Sequence, residues 1–480
     1  MIWLMVLRNL LRNVKNSAVI LFLIALISFL FFIGNSVLGR ADQGLREAYV
    51  DSLTADVVIQ KSGDFTLNLF GANTPVIDDY FTIPSLPAYD VIMDIIAPEP
   101  ALEGITSQVS SNAYMDVLEL REPALLCGVD AESYFSLFPG IILEEGRFLK
   151  RGEYGAMISA DRADRIEAET GQRPAIGTPL LFTSGGDAGF KIREVPLTGI
   201  YHYRNPGQFM NEIVIIDPQT ARVLSSIQVA SSDVEVGQEA VSLLTTDVND
   251  LFGEASFGET AGGEEFSADA LESFLTGAET AAAEPANGGD WNFILLRLKK
   301  GVPAAAFIAS LNKKLAPYGV SAVGWRTAAG ISAIMLLLIQ ALFNAGIILV
   351  SVAGIMVVVN ILLISVFRRT REIGTLRAIG ASDGYIRSLI LGENCVLAGL
   401  AGIIGVLGGL VLVKALSNME ILIPNDLIAS LLGGKVLALE FLPGVAVTSL
   451  AVALILGIAA SLYPVETAVR IDPIVAVQQG

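Results

Sequence analysis

Four stretches of the chain are apolar for about 20 residues or more, the length a helix needs to cross a hydrocarbon core. They cover residues 16–39, 331–367, 386–416 and 443–463, and each is bounded by polar positions. The second is broken only by isolated polar residues such as Gln340, Asn344 and Asn360. At 1.5 Å per residue it would reach about 55 Å, well beyond a bilayer core of about 30 Å, so it is predicted to project as a stalk. The third carries Gly402, Gly405, Gly408 and Gly409, small residues that admit a close helical neighbour, here taken as one from the same chain. Ahead of the first, Trp3, Leu4, Leu7, Leu10, Leu11 and Val14 recur at helical spacing with Arg8, Arg12 and Lys15 between them. Residues 1–15 are therefore predicted as an amphipathic helix lying along the membrane interface, unless they simply begin the first spanning helix. A signal peptide is the competing reading of the first span. Its apolar core would be about 7 to 15 residues with a small-residue cleavage site after it; this run is longer, which predicts an uncleaved anchor.

Between the first two spans, residues 40–330, the pattern changes to short β-rich runs bounded by Gly, Pro and Asn. DVVIQ from Asp56, LLCGVD from Leu125, GTPLLF from Gly177, PLTGIYHY from Pro196 and NEIVIID from Asn211 read as strands. Ser159 to Thr170 reads as a helix capped by Ser159 or Asp161 and stopped by Gly171. A hairpin is predicted near Ser184 to Gly189. The result is an α+β domain inserted into an α-helical membrane protein. Within it, residues 232–290 are acidic and rich in Ala, Gly, Ser and Thr, with no basic residue between Arg222 and Arg297. Such a segment buries too little apolar surface to offset its ordering entropy, so it is predicted to be a mobile, solvated insertion.

Composition agrees with a membrane protein: 53% of residues are hydrophobic and 17% charged, with a mean hydropathy of +0.60. The net charge of −18 is localised, because Arg40 to Arg326 holds 20 basic and 41 acidic residues and the rest of the chain sums to +3. The basic flanks set the expected orientation. Arg8, Arg12 and Lys15 precede the first span, and Arg368, Arg369, Arg371, Arg377 and Arg387 cluster between the second and third. The loop at 417–442 has Lys435 against Glu420, Asp426 and Glu440. Both termini, including the tail at 464–480, are thus predicted on the cytoplasmic side of the membrane, with 40–330 outside.

Candidate chemistry is sparse. Cys127 and Cys395 lie in dissimilar surroundings and are not expected to pair. His202 is the only histidine and has no Cys or His at ligand spacing, so neither a metal site nor a Ser-His-Asp site is expected. Scattered Lys and Arg give no nucleic-acid signal. The sequence contains no Gly-x-x-x-x-Gly-Lys-Ser/Thr run, so no P-loop ATP site is expected in it.

The most informative segment is 368–385, FRRTREIGTLRAIGASDGYIRSLILGE in its context from Phe367. At 100° per residue Ile373, Leu376 and Ile379 share one face of a short helix, while Arg371, Thr375 and Ala378 share another. Gly380 is placed to end it, and Ser382 with Asp383 to cap the next helix. Such a surface helix suits docking to a partner; the alternative is a basic turn that serves only topology and lipid headgroups.

Thr370 to Ser382 (TREIGTLRAIGAS) resembles the signature of FtsX-type permeases, and Tyr463-Pro464 through Arg470-Ile471-Asp472-Pro473 to Val477 resembles their ending. Leu7 to Asn13, and Glu145 to Phe148 with Ile158-Ser159, are similar to the family's opening and to the outer core domain shared with MacB exporters. The resemblance implies a type VII ABC transporter permease. It would act in a pair with itself or a paralogue, with helices one and two as a stalk relaying closure of a separate cytoplasmic ATPase, which holds ATP and Mg; no cofactor is assigned to this chain. It also implies ATPase contacts at Arg371, Glu372, Ile373, Leu376, Arg377, Ile379 and Gly380. The text around Gly128-Val129-Asp130 and Gly199-Ile200-Tyr201 looks most like the lipoprotein-releasing (Lol) permeases, which implies a lipoprotein substrate among membrane lipids and a periplasmic carrier. The carrier-binding hairpin would be Ser184, Gly185, Gly186, Asp187, Lys191 and Arg193, without the family's Pro at its tip. The rivals are an FtsX-like subunit that activates a cell-wall hydrolase, a MacB-like drug or peptide exporter, and a receptor or adhesion protein without an ATPase.

Overall fold

The structure is a computed structural model, and it describes residues 14–63, 67–72, 83–186, 189–205, 210–225, 290–419, 423 and 441–470. The predicted helix over 1–15 up to residue 13, Asp187, the acidic insertion up to residue 289, most of the loop at 417–442 and the family-like ending from Ile471 lie outside these residues. The chain divides into two units, cut at Leu53/Thr54, His202/Tyr203, Met210/Asn211 and Gly324/Trp325, with 203–210 grouped with the helical unit, whereas the hydropathy suggests 40 and 330.

The first helix, α1, runs Val14–Tyr49 and ends in a π-type turn, Val50–Thr54. It therefore continues ten residues past the predicted span of 16–39. Hydropathy falls after Leu38, but a helix needs no apolar run to persist where its polar side chains pair. Gln43 donates to Glu47 at 2.9 Å one turn on, and Arg326 of the same unit donates to both Asp42 oxygens.

The α+β unit is built on a ten-stranded sheet in the order β12-β1-β11-β4-β5-β10-β7-β9-β6, with β8 joining β4 and β9. Its strands are β1 Val57–Lys61, β4 Leu102–Val117, β5 Leu120–Val129, β6 Ile141–Gly146, β7 Ala156–Ser159, β8 Pro179–Gly186, β9 Gly189–Tyr203, β10 Ile213–Ile216, β11 Phe293–Leu298 and β12 Val320–Gly324; a two-stranded ribbon, β2 Leu67–Asn68 with β3 Gly71–Ala72, stands apart. Helices α2 Tyr89–Ile96, α3 Ala131–Leu137, α4 Ala160–Thr170, α5 Pro218–Leu224 and α6 Ala304–Leu315 complete the unit. The sheet carries two apolar cores. One joins β4, β5, β7 and β10 to α4 and α5 through residues such as Leu126, Ile158, Ile166, Val214 and Leu224. The other joins β1, β11 and β12 to α2 and α6 through Ile59, Ile92, Leu296 and Leu311.

The predicted α4 is present with its caps: the Ser159 hydroxyl accepts from the Arg162 N–H at 3.2 Å, and Gly171 sits at φ +74. An apolar stripe alone does not fix it. Arg162 is fully buried and donates to Glu122 at 2.9 Å and to Glu212 at 2.6 Å, while Arg165 donates to the same two carboxylates, each at 2.9 Å. This four-residue network ties α4 to β5 and to the turn before β10.

Cys127, on β5, is completely buried and faces the Tyr134 hydroxyl at 3.6 Å. Burial pushes its thiol up to about 12. At pH 8 the thiol therefore stays protonated, and the thiolate is the nucleophile. Iodoacetamide at pH 8 is expected to leave Cys127 unmodified in the folded chain and to alkylate it in denaturant, read by peptide mass spectrometry; rapid labelling of the folded chain would contradict this packing.

The second unit resumes with α7 Trp325–Ala329 and contains α8 Ile331–Arg368, α9 Thr370–Ala378, α10 Asp383–Asn418 and α11 Pro443–Val469. Among the described residues, α1, α8, α10 and α11 are the four helices long and apolar enough to cross a membrane. Helix α8 matches its predicted span to one residue, and its 38 residues amount to about 57 Å. Helix α11 runs on past the predicted 463 to Val469, with Pro464 inside it. Proline ordinarily breaks a soluble helix, but a membrane helix tolerates it where neighbours satisfy the backbone.

Small residues set the spacing of this bundle. A Cβ on Gly405 would lie 2.5 Å from the Ala25 carbonyl oxygen, and one on Gly457 2.4 Å from the Ala398 Cβ, so α10 touches α1 on one side and α11 on the other. Asn344, a polar interruption in the apolar pattern, receives a 3.3 Å hydrogen bond from Asn35 across α1 and α8.

Candidate functional site

The arginine-rich end of the helical unit holds the candidate site. Helix α8 stops at Arg368, Arg369 leaves helical geometry at φ −103, ψ 11, and α9 starts at once. At the other end of α9 the Ala381 N–H bonds back to the Leu376 carbonyl at 3.0 Å, with Gly380 at φ +100, a conformation that favours glycine. Ser382 then caps α10, its hydroxyl accepting from the Tyr385 N–H at 3.3 Å. Both end signals read from the sequence are used as expected.

Three anchors fix α9 in place. Ile373 is buried with Val366, Ile386, Ile390 and Val465. Arg377 donates to the Val469 carbonyl at 2.7 Å and to Asp383 at 3.1 Å, joining α9 to the ends of α11 and α10. Arg369 makes a two-pronged ion pair with Glu393 of α10 at 2.8 and 3.3 Å, and reaches Glu372 at 3.4 Å.

These contacts sort the residues singled out in the sequence. Arg371, Glu372, Ile379 and Gly380 are exposed, and Ile379 is 86% exposed although apolar. Ile373 is buried and Arg377 half-buried, and both hold α9 to its neighbouring helices. Leu376 is half-buried and lines a cavity. The predicted apolar face of Ile373, Leu376 and Ile379 is thus split, because α9 ends at Ala378 and Ile379 departs with the turn. Arg369, Glu393 and Asn394 were missed. The available signal was a Glu-Asn pair inside an apolar run, since polar residues within a spanning segment are costly and seldom idle.

In the α+β unit, the β8–β9 hairpin forms in the predicted place, with Gly186 opposite Gly189. Ser184 is buried and donates to the Asn112 carbonyl at 3.1 Å, so it holds the hairpin rather than presenting it. Gly185 and Arg193 are exposed and Lys191 is half-buried. Phe190 and Ile192, which the sequence reading passed over, are 81% and 56% exposed. His202 is half-exposed with Nδ1 3.6 Å from Glu144. Among the described residues no cluster of His, Cys, Asp and Glu has the makings of a metal site.

Residues 344–473 match the family model described as FtsX-like permease C-terminal. The chain is 34% identical over 137 residues to the uncharacterized ABC transporter permease YknZ of Bacillus subtilis, a match covering 27% of this chain and 30% of that protein. It is 35% identical over 119 residues to the macrolide export ATP-binding/permease protein MacB of Hyphomonas neptunium, covering 25% of this chain and 16% of that one. The matches therefore span under a third of either relative. Among solved structures, the periplasmic region of MacB from Actinobacillus actinomycetemcomitans aligns with 59% of this chain and 94% of its own at 12% identity, with a TM-score of 0.31.

Proposed function

We propose that the chain is the permease of an ABC transporter of the FtsX/MacB-like type, and that a separate ATPase docks on α9 and drives the transport of an amphiphile. The supporting observation is the mounting of α9. Its outer surface offers Arg371, Glu372 and the exposed Ile379, while Ile373, Arg377 and Arg369 lock its inner side to α8, α10 and α11. A helix held this firmly passes a push to α8 instead of absorbing it. Helix α8 is continuous for 38 residues, longer than a bilayer requires, and suits a mechanical relay. The arginines at this end favour a cytoplasmic location by the positive-inside rule, which would put the α+β unit outside the cell.

A lipoprotein or similar amphiphile is the substrate class we favour, drawn from the lipid-facing surfaces of α1 and α8, with a second permease completing the path. The exposed Phe190 and Ile192 support a soluble carrier at the β8–β9 hairpin. Export of a drug or peptide is the second reading, favoured by the name of the MacB relative.

Reconstitution with the ATPase tests the docking. Ile379→Asp is expected to lower permease-stimulated ATP hydrolysis tenfold or more while the α+β unit keeps its protease resistance; undiminished stimulation would remove α9 as the docking element. Release of a lipoprotein from vesicles to a soluble acceptor separates the first substrate reading from the second.

A further inference from the structure

One side of the sheet in the α+β unit comes to the surface at one end. Residues two apart on β5 share a face. On this face Cys127 is completely buried against Tyr134 of α3, Leu125 is half-buried, and Pro123 and Arg121 are exposed. The opposite face stays buried at the same level, through Ala113, Met115, Ala124, Phe182 and Val195. Residues paired directly across strands lie on one side, so the register defines the exposed side in rows. One row is Pro123, Tyr114, Thr183 and Ile192, on β5, β4, β8 and β9; the next is Arg121, Asp116, Leu181 and Glu194. Tyr114 is 53% and Ile192 56% exposed, and the Arg121 guanidinium lies 4.9 Å above the Tyr114 ring. We infer that this four-strand face packs against the same face of a second copy of the chain.

The charges select that occupant. Arg121 stands on β5 at one side of its row and Glu194 on β9 at the other, three strand spacings or about 14 Å away. A half-turn about an axis running along the strands, between β4 and β8, lays a second copy face to face and exchanges the two sides. Arg121 then meets Glu194 of the second copy, and the reciprocal pair forms by the same symmetry. In the neighbouring row the operation sets Pro123 against Ile192 and Tyr114 against Thr183. Sheets stacked this way lie about 10 Å apart with strands within about 30° of each other.

Arg121 approaches its own Asp116 through Nε at 3.8 Å and is 55% exposed, which leaves its terminal nitrogens for the second copy. Tyr and Arg are also enriched at the centres of protein interfaces. An anionic membrane surface fits this face worse, because two carboxylates accompany the one guanidinium. Phe190, nearer the turn of the β8–β9 hairpin, lies outside both rows and is left to a carrier. The inference rests on the second permease of the proposed function being another copy of this chain, and it is independent of ATPase docking on α9.

Disulfide trapping of the full chain in proteoliposomes tests it, in a Cys395→Ala background that leaves only the buried Cys127. Arg121→Cys combined with Glu194→Cys is expected to give at least fivefold more cross-linked dimer on oxidation than either change alone. Within one copy the two positions are too far apart to bond, since bridged Cα atoms stand about 4.4 to 6.8 Å apart. In the pair, a single new cysteine faces Glu194 or Arg121 and not its own counterpart. Adding Ile192→Asp, which sets a carboxylate against Pro123, should cut the dimer yield at least fivefold, while protease resistance of the α+β unit reports that the variant is folded. The Ile379→Asp change that tests ATPase docking should leave the yield as it is. A yield from the double variant no higher than from the single ones, or one unchanged by Ile192→Asp, would overturn the assignment. Capture of a different protein by Arg121→Cys in native membranes, in place of the dimer, would overturn it too.

Discussion

Gly405→Leu is expected to destabilise the helical unit by about 3 kcal/mol, the upper end for overpacking a filled interior. A Cβ at Gly405 would stand 2.5 Å from the Ala25 carbonyl oxygen, 2.8 Å from the Ser28 Cβ and 3.0 Å from the Phe29 nitrogen. Two of these atoms are backbone, so no side-chain rotation relieves the clash and α1 must move away from α10. The same movement would lengthen the 3.4 Å hydrogen bond that Ser28 donates to the Gly402 carbonyl. Gly399→Ala on the same helix is the control, because its Cβ would meet only Leu454 at an ordinary 3.9 Å. Thermal unfolding in detergent should show an early transition for Gly405→Leu and a wild-type curve for Gly399→Ala. Identical curves for the two variants would mean that α1 and α10 do not approach this closely.

Arg162→Met should cost the α+β unit about 3 kcal/mol, at the low end of the range for removing one partner from a buried ion pair. The loss comes less from the attraction itself than from what remains. Glu122 and Glu212 would keep their charge beside a methionine, with Arg165 alone to answer both. The backbone carbonyls of Pro123 and Glu212 would also lose their 3.0 Å donor. Arg173→Met, a guanidinium on the surface of the same unit that pairs with Asp164, should change stability by no more than about 1 kcal/mol. Urea titration with limited proteolysis as the readout tests the pair of variants. A loss no larger than that of Arg173→Met would show that the buried network contributes no more than a surface pair.

The caps of α4 and α10 and the stop at Gly380 were readable because each depends on one residue and its immediate neighbours. The β4–β5 hairpin was not. Its two-residue turn is Leu118-Glu119, with both residues at positive φ, where Asn-Gly or Asp-Gly is the usual signal. The ten register pairs between Val117↔Leu120 and Gln108↔Val129 hold the turn in place despite its residues. Arg162 looked like any charged residue on a polar helix, since the carboxylates that justify its burial lie 40 and 50 positions away in the chain. Glu393 and Arg369 are 24 positions apart, so pattern reading along one helix could not pair them.

Local rules thus determined the number of spanning helices, the insertion of an α+β domain between the first two, and a short capped helix at the arginine-rich end. Each follows from side-chain polarity repeated at helical or strand period, which is a property of the sequence alone. The tertiary structure decided which side of α9 is available. It buried Ile373, half-buried Arg377 and left Ile379 exposed, because the inward side is chosen by partners on α8, α10 and α11 and not by the amphipathic pattern of nine residues. It also brought Pro123, Tyr114, Thr183 and Ile192 into one row, since strands distant in the chain share a face only once they have paired.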